Sequence, residues 1–65
     1  MNKALRNARL KAGLSQKELG SRAGVSVNYV SLLERGELVP SIQKAYAIAD
    51  HLGKNVQALF PRGGR

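Results

Sequence analysis

Apolar residues along this chain recur at intervals of three and four positions within short stretches. The longest such set is Ile42, Ala45, Tyr46, Ile48, Ala49 and Leu52. Side chains at this spacing lie on one face of an α-helix, so the set predicts a helix that buries an apolar stripe. Leu5, Ala8 and Ala12 share the pattern near the start of the chain. The periodicity therefore predicts a chain built from amphipathic helices.

Glycine and small polar residues divide these stretches. Glycine occurs at positions 13, 24, 36 and 53, and Ser15, Ser26 and Asn55 follow three of them within two positions, as residues that cap the next helix do. Ser15 and Glu18 have the spacing of a capping box, in which a hydroxyl and a carboxylate each bond to a backbone amide. Ser41, which follows a proline, marks a further helix start. The predicted helices span residues 2–12, 16–23, 27–35, 42–52 and 56–60.

The predicted helix 27–35 has two different faces. Val30 and Leu33 lie on the side expected to enter the core. The opposite side carries a mixture of apolar, amide, hydroxyl and basic groups: Val27, Asn28, Ser31, Leu32 and Arg35. This mixture is too polar for a core and too apolar for a purely solvated face. The outer face is therefore predicted to bind a partner.

Composition narrows the class of partner. Eleven lysines and arginines against four acids give the 65-residue chain a net charge of +7, which favours a polyanion such as nucleic acid. With no cysteine and one histidine, we expect no disulfide, no metal site and no cofactor. The same lone histidine and scattered acids supply no catalytic set, so an enzyme is not expected. No run of eighteen apolar residues predicts a membrane span, and the basic opening lacks the apolar core of a signal peptide.

The segment QKELGSRAGVSVNYVSLLE, residues 16–34, resembles the helix-turn-helix of phage Cro and the lambda-repressor-like, XRE-type transcriptional regulators. The positions that carry the resemblance are Leu19, Gly20, Ala23, Gly24, Val25, Val30 and Leu33. Gly24 suits the sharp turn between the two helices, which needs a residue that tolerates positive φ. The likeness extends over nearly the whole chain. It implies an all-α, compact five-helix lambda-repressor-like domain over residues 1–65, with a helix-turn-helix core at 16–35. The segment PRGGR, residues 61–65, is expected to form a flexible tail.

The resemblance implies that the second helix of the motif, the recognition helix, lies in the major groove of double-stranded DNA while the preceding helix sits over the backbone. Asn28 would pair with N6 and N7 of adenine, and Val27 would contact a thymine methyl group. The Ser31 hydroxyl would form a hydrogen bond with either adenine or thymine. Leu32 would offer only apolar contact, so A·T-rich shape would carry part of the specificity. Phosphate contacts are implied for a larger polar and basic set: Gln16, Ser26, Tyr29, Arg35, Ser41, Gln43 and Lys44.

An arginine stands inside the apolar stripe of the first predicted helix. Helical spacing places Arg9 among Leu5, Ala8 and Ala12, where an isolated guanidinium would be costly. It therefore needs an acid, and Glu34 flanks the inward side of the recognition helix. The lambda-repressor-like family joins an arginine and a glutamate at these two places. The resemblance thus implies a largely buried, bidentate Arg9–Glu34 ion pair.

Together these features predict a sequence-specific, DNA-binding transcriptional regulator of the Cro or repressor type, nucleoid-associated in a bacterial or phage-infected cytoplasm. The small footprint of one recognition helix favours a homodimer on a palindromic operator. Val56, Leu59 and Phe60 are candidate dimer contacts, for which capping of the chain's own core is the alternative. The lack of a long extension predicts a regulator controlled by its own concentration.

The sequence leaves two other functions open. The same fold serves as a controller or activator of restriction-modification operons, in which it also contacts RNA polymerase. It also serves in antitoxin-like proteins, whose main partner is a toxin and for which DNA binding is secondary. No feature of the sequence separates the repressor from the activator.

Overall fold

The computed structural model describes residues 1–61, which form five α-helices joined by turns, with no strand in this range. The helices are α1 (Lys3–Lys11), α2 (Gln16–Ala23), α3 (Val27–Glu34), α4 (Ile42–Leu52) and α5 (Val56–Leu59). The predicted all-α, five-helix architecture is confirmed, and each predicted boundary agrees with the observed one to within one residue. The expected flexible tail covers residues 61–65, of which 62–65 lie outside the described residues.

Each helix begins at a side chain that caps its first turn. The capping residues are Asn2, Ser15, Ser26, Ser41 and Asn55. In every case the side-chain oxygen accepts a hydrogen bond from the backbone N–H three residues later. At Ser15 the capping box is complete, because Glu18 Oε1 accepts the Ser15 N–H at 2.8 Å. This backbone hydrogen bond, aided by one from the Ser15 hydroxyl, lowers the pKa of Glu18.

The turn between α2 and α3 depends on two glycines. Gly24 ends α2 with φ +75°, a left-handed conformation that a β-carbon would strain. Gly20 lies in the preceding turn of α2, and its carbonyl accepts the Val25 N–H at 2.8 Å. A β-carbon at Gly20 would stand 2.7 Å from the Val25 carbonyl oxygen, so the turn would have to move to admit one. Glycine at both positions therefore lets α3 fold back closely on α2.

The core draws on every helix. α2 packs against α3 and α4, α1 packs against α3 and α5, and α4 packs against α5. The largest completely buried side chains are Leu5, Leu19, Val30, Leu33, Ile48 and Leu59. Burying one leucine, isoleucine or valine contributes about 1.5–3 kcal/mol, so this cluster holds α3 in a fixed orientation against α1 and α2.

The apolar stripe of α4 is narrower than the sequence pattern predicts. Ile42 is 56% exposed and Tyr46 is 59% exposed, so their predicted place on the buried face is wrong. The observed stripe consists of Ala45, Ile48, Ala49 and Leu52. At about 100° per residue, Ile42 lies roughly 70° and Tyr46 roughly 110° from the centre of that stripe. Both side chains therefore fall on the flank of α4 that faces solvent.

The C-terminal apolar cluster belongs to the core of this chain. Leu59 is 1% exposed and Phe60 is 6% exposed, while Val56 is half-buried and packs against the core. The prediction that Leu59 and Phe60 are dimer contacts is therefore corrected, since Leu59 at the end of α5 and Phe60 directly after it both belong to the buried core cluster. Their burial supports the alternative, in which this segment caps the core of its own chain.

One residue near the start of the chain joins three helices. Asn2 Oδ1 caps α1, and its Nδ2 donates to the carbonyl of Leu59 in α5 at 2.8 Å. The Asn2 backbone N–H donates to the carbonyl of Glu34, the last residue of α3, also at 2.8 Å. The sequence pattern gave no sign of this residue beyond its place at a helix start. Asn2 thus connects α1 to the C-terminal ends of α3 and α5.

Candidate nucleic-acid interface

The outer face of α3 is open to solvent. Val27 is 49% exposed, Asn28 and Arg35 are exposed, and Ser31 and Leu32 are half-buried. The helix is oriented from its other side, because Val30 and Leu33 are buried in the core. The four predicted base-contacting side chains therefore share one accessible helix face, with Arg35 just beyond its C-terminal end.

Tyr29 lies on the inner side of α3. Its ring is half-buried and packs against the core, so only part of the side chain remains available to a phosphate. Ser26 and Ser41 lie at helix starts, where their hydroxyl oxygens accept the N–H groups of Tyr29 and Lys44 at 3.0 and 3.2 Å. A serine hydroxyl that accepts a capping bond still has its proton to donate. Both serines therefore remain able to bind a phosphate oxygen.

The other predicted phosphate contacts lie near opposite ends of α3. Gln16, at the start of α2, is half-buried, and its Nε2 donates to Glu34 Oε1 at 3.3 Å at the C-terminal end of α3. Lys44, in the first turn of α4, reaches the carbonyl of Gly24 at 3.5 Å, next to the turn that leads into α3. Gln43 is exposed beside Lys44. The basic and amide groups thus flank the outer face at both ends.

Arg9 and Glu34 meet inside the protein. Arg9 is 7% exposed and Glu34 is 5% exposed. Arg9 Nε donates to Glu34 Oε2 at 2.5 Å, and Nη2 donates to Oε1 at 3.2 Å, which gives a bidentate pair. The remaining terminal nitrogen, Nη1, donates to the carbonyl of Leu14 at 2.8 Å. The pair joins α1 to the last residue of α3, and the Leu14 contact adds the loop that precedes α2.

Two members of this network could not be found from side-chain patterns. The Leu14 carbonyl is a backbone acceptor, and a backbone atom leaves no trace in the sequence. Gln16 is predicted to contact a phosphate, but in the structure one N–H of its Nε2 donates to Glu34. Because an arginine carries five N–H donors, a buried arginine needs more acceptors than one carboxylate provides, but the sequence does not show which atoms these are. Within residues 1–61, every buried side-chain nitrogen and oxygen has a hydrogen-bond partner.

Within residues 1–61, most of the positive charge lies unpaired at the surface. Across residues 1–61, the ion pairs are Arg9–Glu34 and an exposed Arg35–Glu37 pair at 3.4 Å. Glu18 is used in the α2 capping box. The excess of basic side chains therefore remains free to attract an anionic polymer.

Other kinds of site receive no support in the part of the chain that the structure describes. Over residues 1–61 there is no cluster of three or more histidine, cysteine, aspartate or glutamate side chains arranged to hold a metal ion. None of the five described helices has the length and apolar character needed to cross a membrane.

Sequence comparison gives a consistent set of relatives. A model of the family described as helix-turn-helix matches residues 5–59. An uncharacterized HTH-type transcriptional regulator of Archaeoglobus fulgidus is 35% identical over 60 residues, which cover 92% of this chain and 86% of that protein. The uncharacterized HTH-type transcriptional regulator y4dJ of Sinorhizobium fredii is 42% identical over 54 residues, which cover 82% of this chain and 70% of that protein.

Two solved structures share the fold. The crystal structure of the hypothetical transcription factor NHTF from Neisseria aligns with a TM-score of 0.78 at 30% identity, covering 86% of this chain and 64% of that one. An HTH_3 family transcriptional regulator from Vibrio cholerae aligns with a TM-score of 0.78 at 33% identity, covering 94% of this chain and 34% of that one. The chain thus spans less than two thirds of each solved chain.

Proposed function

We propose that this chain, which belongs to the helix-turn-helix family of transcriptional regulators, recognises a specific double-stranded DNA operator with α3 in the major groove. The family is a DNA-binding, non-enzymatic kind of protein. The observation that carries the proposal is the outer face of α3, which exposes short side chains on a helix anchored from behind by the core. An α-helix is about 10–12 Å across with its side chains, and the major groove is about 12 Å wide.

Base recognition rests mainly on Asn28. Its carboxamide can donate to N7 and accept from N6 of one adenine, a pairing that discriminates by about 1–3 kcal/mol. Val27, half exposed one residue earlier, packs against a thymine methyl group. Ser31 and Leu32 are half-buried, so they reach only a base edge that approaches the helix closely. The expected half-site is therefore rich in A·T pairs.

Phosphate contacts hold the recognition helix in register. Gln16 and Arg35 lie toward its C-terminal end, and Ser41, Gln43 and Lys44 lie toward the turn that precedes it. We propose that these two groups contact the backbones on the two sides of the groove. Ser26 and the exposed part of Tyr29 supply further contacts at the start of α3. Phosphate contacts position the helix without distinguishing sequences, which leaves Asn28 and its neighbours to select the bases.

Two copies are needed for a useful operator. The eight residues of α3 span about 12 Å at 1.5 Å per residue, and DNA rises about 3.4 Å per base pair. One helix therefore covers roughly four base pairs, too few to define a site. We propose a homodimer that forms on palindromic DNA, with half-site centres about 10 base pairs apart. Because Leu59 and Phe60 are buried, the half-buried Val56 is the member of that cluster that stays a candidate dimer contact.

Occupation of such an operator represses transcription where it overlaps a promoter, because the bound protein excludes RNA polymerase. A run-off transcription assay on a promoter that carries the selected site tests this sign of regulation. Fewer transcripts with rising protein concentration are expected. More transcripts would instead indicate a productive contact with polymerase and an activator.

The direct test of the function is selection of bound sites from random double-stranded DNA. The expected product is a palindromic consensus with A·T pairs in each half-site. With six to ten neutralised phosphates, affinity should fall about 10³- to 10⁵-fold between 50 and 200 mM salt. Enrichment of no consensus would contradict sequence-specific binding, and a consensus with one isolated half-site would contradict the dimer.

A further inference from the structure

A cleft of about 290 Å³ opens beside α3, where α1, α2 and α3 meet. Its lining includes side chains from all three helices and from the residue that follows α3: Arg6, Arg9, Gln16, Ser31, Glu34 and Arg35. The buried Arg9–Glu34 pair forms its base, and Arg6 and Arg35 lie at its exposed edge. The cleft is therefore continuous with the outer face of α3 through Ser31.

The chemistry of this cleft is dominated by hydrogen-bond donors. Glu34 is the acid in the lining, and its two carboxylate oxygens accept from Arg9 Nε, Arg9 Nη2 and Gln16 Nε2. Its charge is thus neutralised by a partner inside the protein. Gln16 Nε2 carries a second N–H, and Ser31 carries a hydroxyl proton. With the guanidinium of Arg6, these groups form a surface suited to an anion with several oxygens.

Arg6 contributes a charge that no acid within residues 1–61 pairs. In the described range, 1–61, it belongs to neither of the two ion pairs, and it is exposed one helical turn before Arg9. Arg35, across the cleft, shares its charge with Glu37, but both of those side chains are more than half exposed and such pairs are weak. Two guanidinium groups therefore converge on one cleft without a strong local acid.

We propose that this cleft binds one phosphate of the DNA backbone, with Arg6 as a direct contact. The inference rests on the proposed DNA-binding function and extends its interface to α1. An arginine fork matches two phosphate oxygens, and the second Nε2 N–H of Gln16 lies in the same cleft to bond a third. The phosphate belongs to the strand adjacent to the bases that α3 reads, because Ser31 borders both the cleft and the outer face.

The test compares Arg6→Gln with Lys54→Gln. Both variants remove one positive charge from an exposed position, but Lys54 lies in the turn between α4 and α5, beside Lys11. Binding to the selected operator and to an unrelated duplex is measured across a range of salt concentrations. For Arg6→Gln, the slope of log affinity against log salt should decrease by about 0.9, with equal weakening on both duplexes. For Lys54→Gln, the slope should equal that of the wild-type protein.

A second measurement locates the phosphate. Operator duplexes are prepared with a neutral methylphosphonate at one backbone position at a time. One position in each half-site should weaken wild-type binding and have no further effect on Arg6→Gln. Circular dichroism should show the same thermal unfolding for Arg6→Gln and wild type, since Arg6 is exposed and forms no ion pair within residues 1–61.

The outcomes separate the two proposals. If wild type and Lys54→Gln bind the operator and Arg6→Gln changes the slope no more than Lys54→Gln does, the cleft is not a phosphate site although the protein reads DNA. Additive effects of Arg6→Gln and every methylphosphonate would overturn the cleft as well. A wild-type protein that binds no duplex would overturn the DNA-binding function itself, and the cleft with it.

Discussion

Breaking the buried Arg9–Glu34 pair should cost a large part of the stability of this domain. At about 0.05–0.15 kcal/mol per residue, a chain of 65 residues has roughly 3–10 kcal/mol in total. Arg9→Met leaves Glu34 with one hydrogen bond, from Gln16, and removes the donor to the Leu14 carbonyl. Glu34→Leu leaves the Arg9 charge with the Leu14 carbonyl as its remaining partner. Each change should cost about 3–5 kcal/mol, because each strands a buried charge.

The double variant Arg9→Met with Glu34→Leu should be much less damaging than additivity implies. It buries no charge and leaves without their partners only the Leu14 carbonyl and one N–H of the half-buried Gln16, at a cost of about 1–3 kcal/mol. Additive effects would give roughly 6–10 kcal/mol, so the expected coupling energy is several kcal/mol. The exposed Arg35–Glu37 pair is the internal control, and a matching cycle there should give at most about 1 kcal/mol.

The assay is urea unfolding followed by circular dichroism, with one common slope of free energy against urea for all variants. A single variant that is unfolded in buffer is measured in the presence of an excluded osmolyte, applied equally to all four proteins. A coupling energy below about 0.5 kcal/mol for Arg9 and Glu34 would refute the reasoning. A double variant as unstable as the less stable of the two single variants would also refute the reasoning.

Three further predictions concern the recognition helix and its approach. Asn28→Ala should lose about 1–3 kcal/mol on the selected operator and leave non-specific binding nearly unchanged, whereas an equal loss on both duplexes in a gel-shift titration would make Asn28 a scaffold residue. Gly24→Ala should destabilise the protein by about 1–2 kcal/mol in urea melts and Gly24→Asn by less, because φ is +75° and no atom lies within 4 Å of the added β-carbon; equal losses would contradict strain as the cause. The lowered pKa of Glu18 means that the capping box stabilises the protein above the ordinary pKa of 4.5 and that this contribution is lost as pH falls through the lowered value; melts of Glu18→Gln should lack this part of the acid dependence, and an unchanged profile would contradict it.

Local chemistry explains why the helices were predictable. A capping serine or asparagine acts on an amide three residues away, so Ser15, Ser26 and Asn55 mark helix starts whatever the rest of the chain does. The same holds for the outer face of α3, because burial of Val30 and Leu33 leaves the opposite face outside. The helix boundaries and the location of the candidate interface therefore followed from the sequence.

Burial of particular apolar residues was not predictable in the same way. Periodicity shows that a helix has an apolar side, but the width of the covered stripe depends on which neighbours pack there. Ile42 and Tyr46 are exposed because that stripe is narrow, and Leu59 is buried because α5 packs against α1 and α4. The backbone partners of Arg9 and Asn2 depend likewise on contacts between distant parts of the chain.

The hydrogen bond between Asn2 and Leu59 places the two outer ends of the described chain side by side, although 57 positions separate these residues. A second domain fused before α1 and one fused after α5 would therefore be attached at the same place, and a loop of another protein could carry this whole unit as an insertion. That attachment point also adjoins the last carbonyl of α3, which accepts the Asn2 N–H. A fused sensor domain that pulled on either end would thus apply its force at the C-terminal end of the helix that we propose reads the bases.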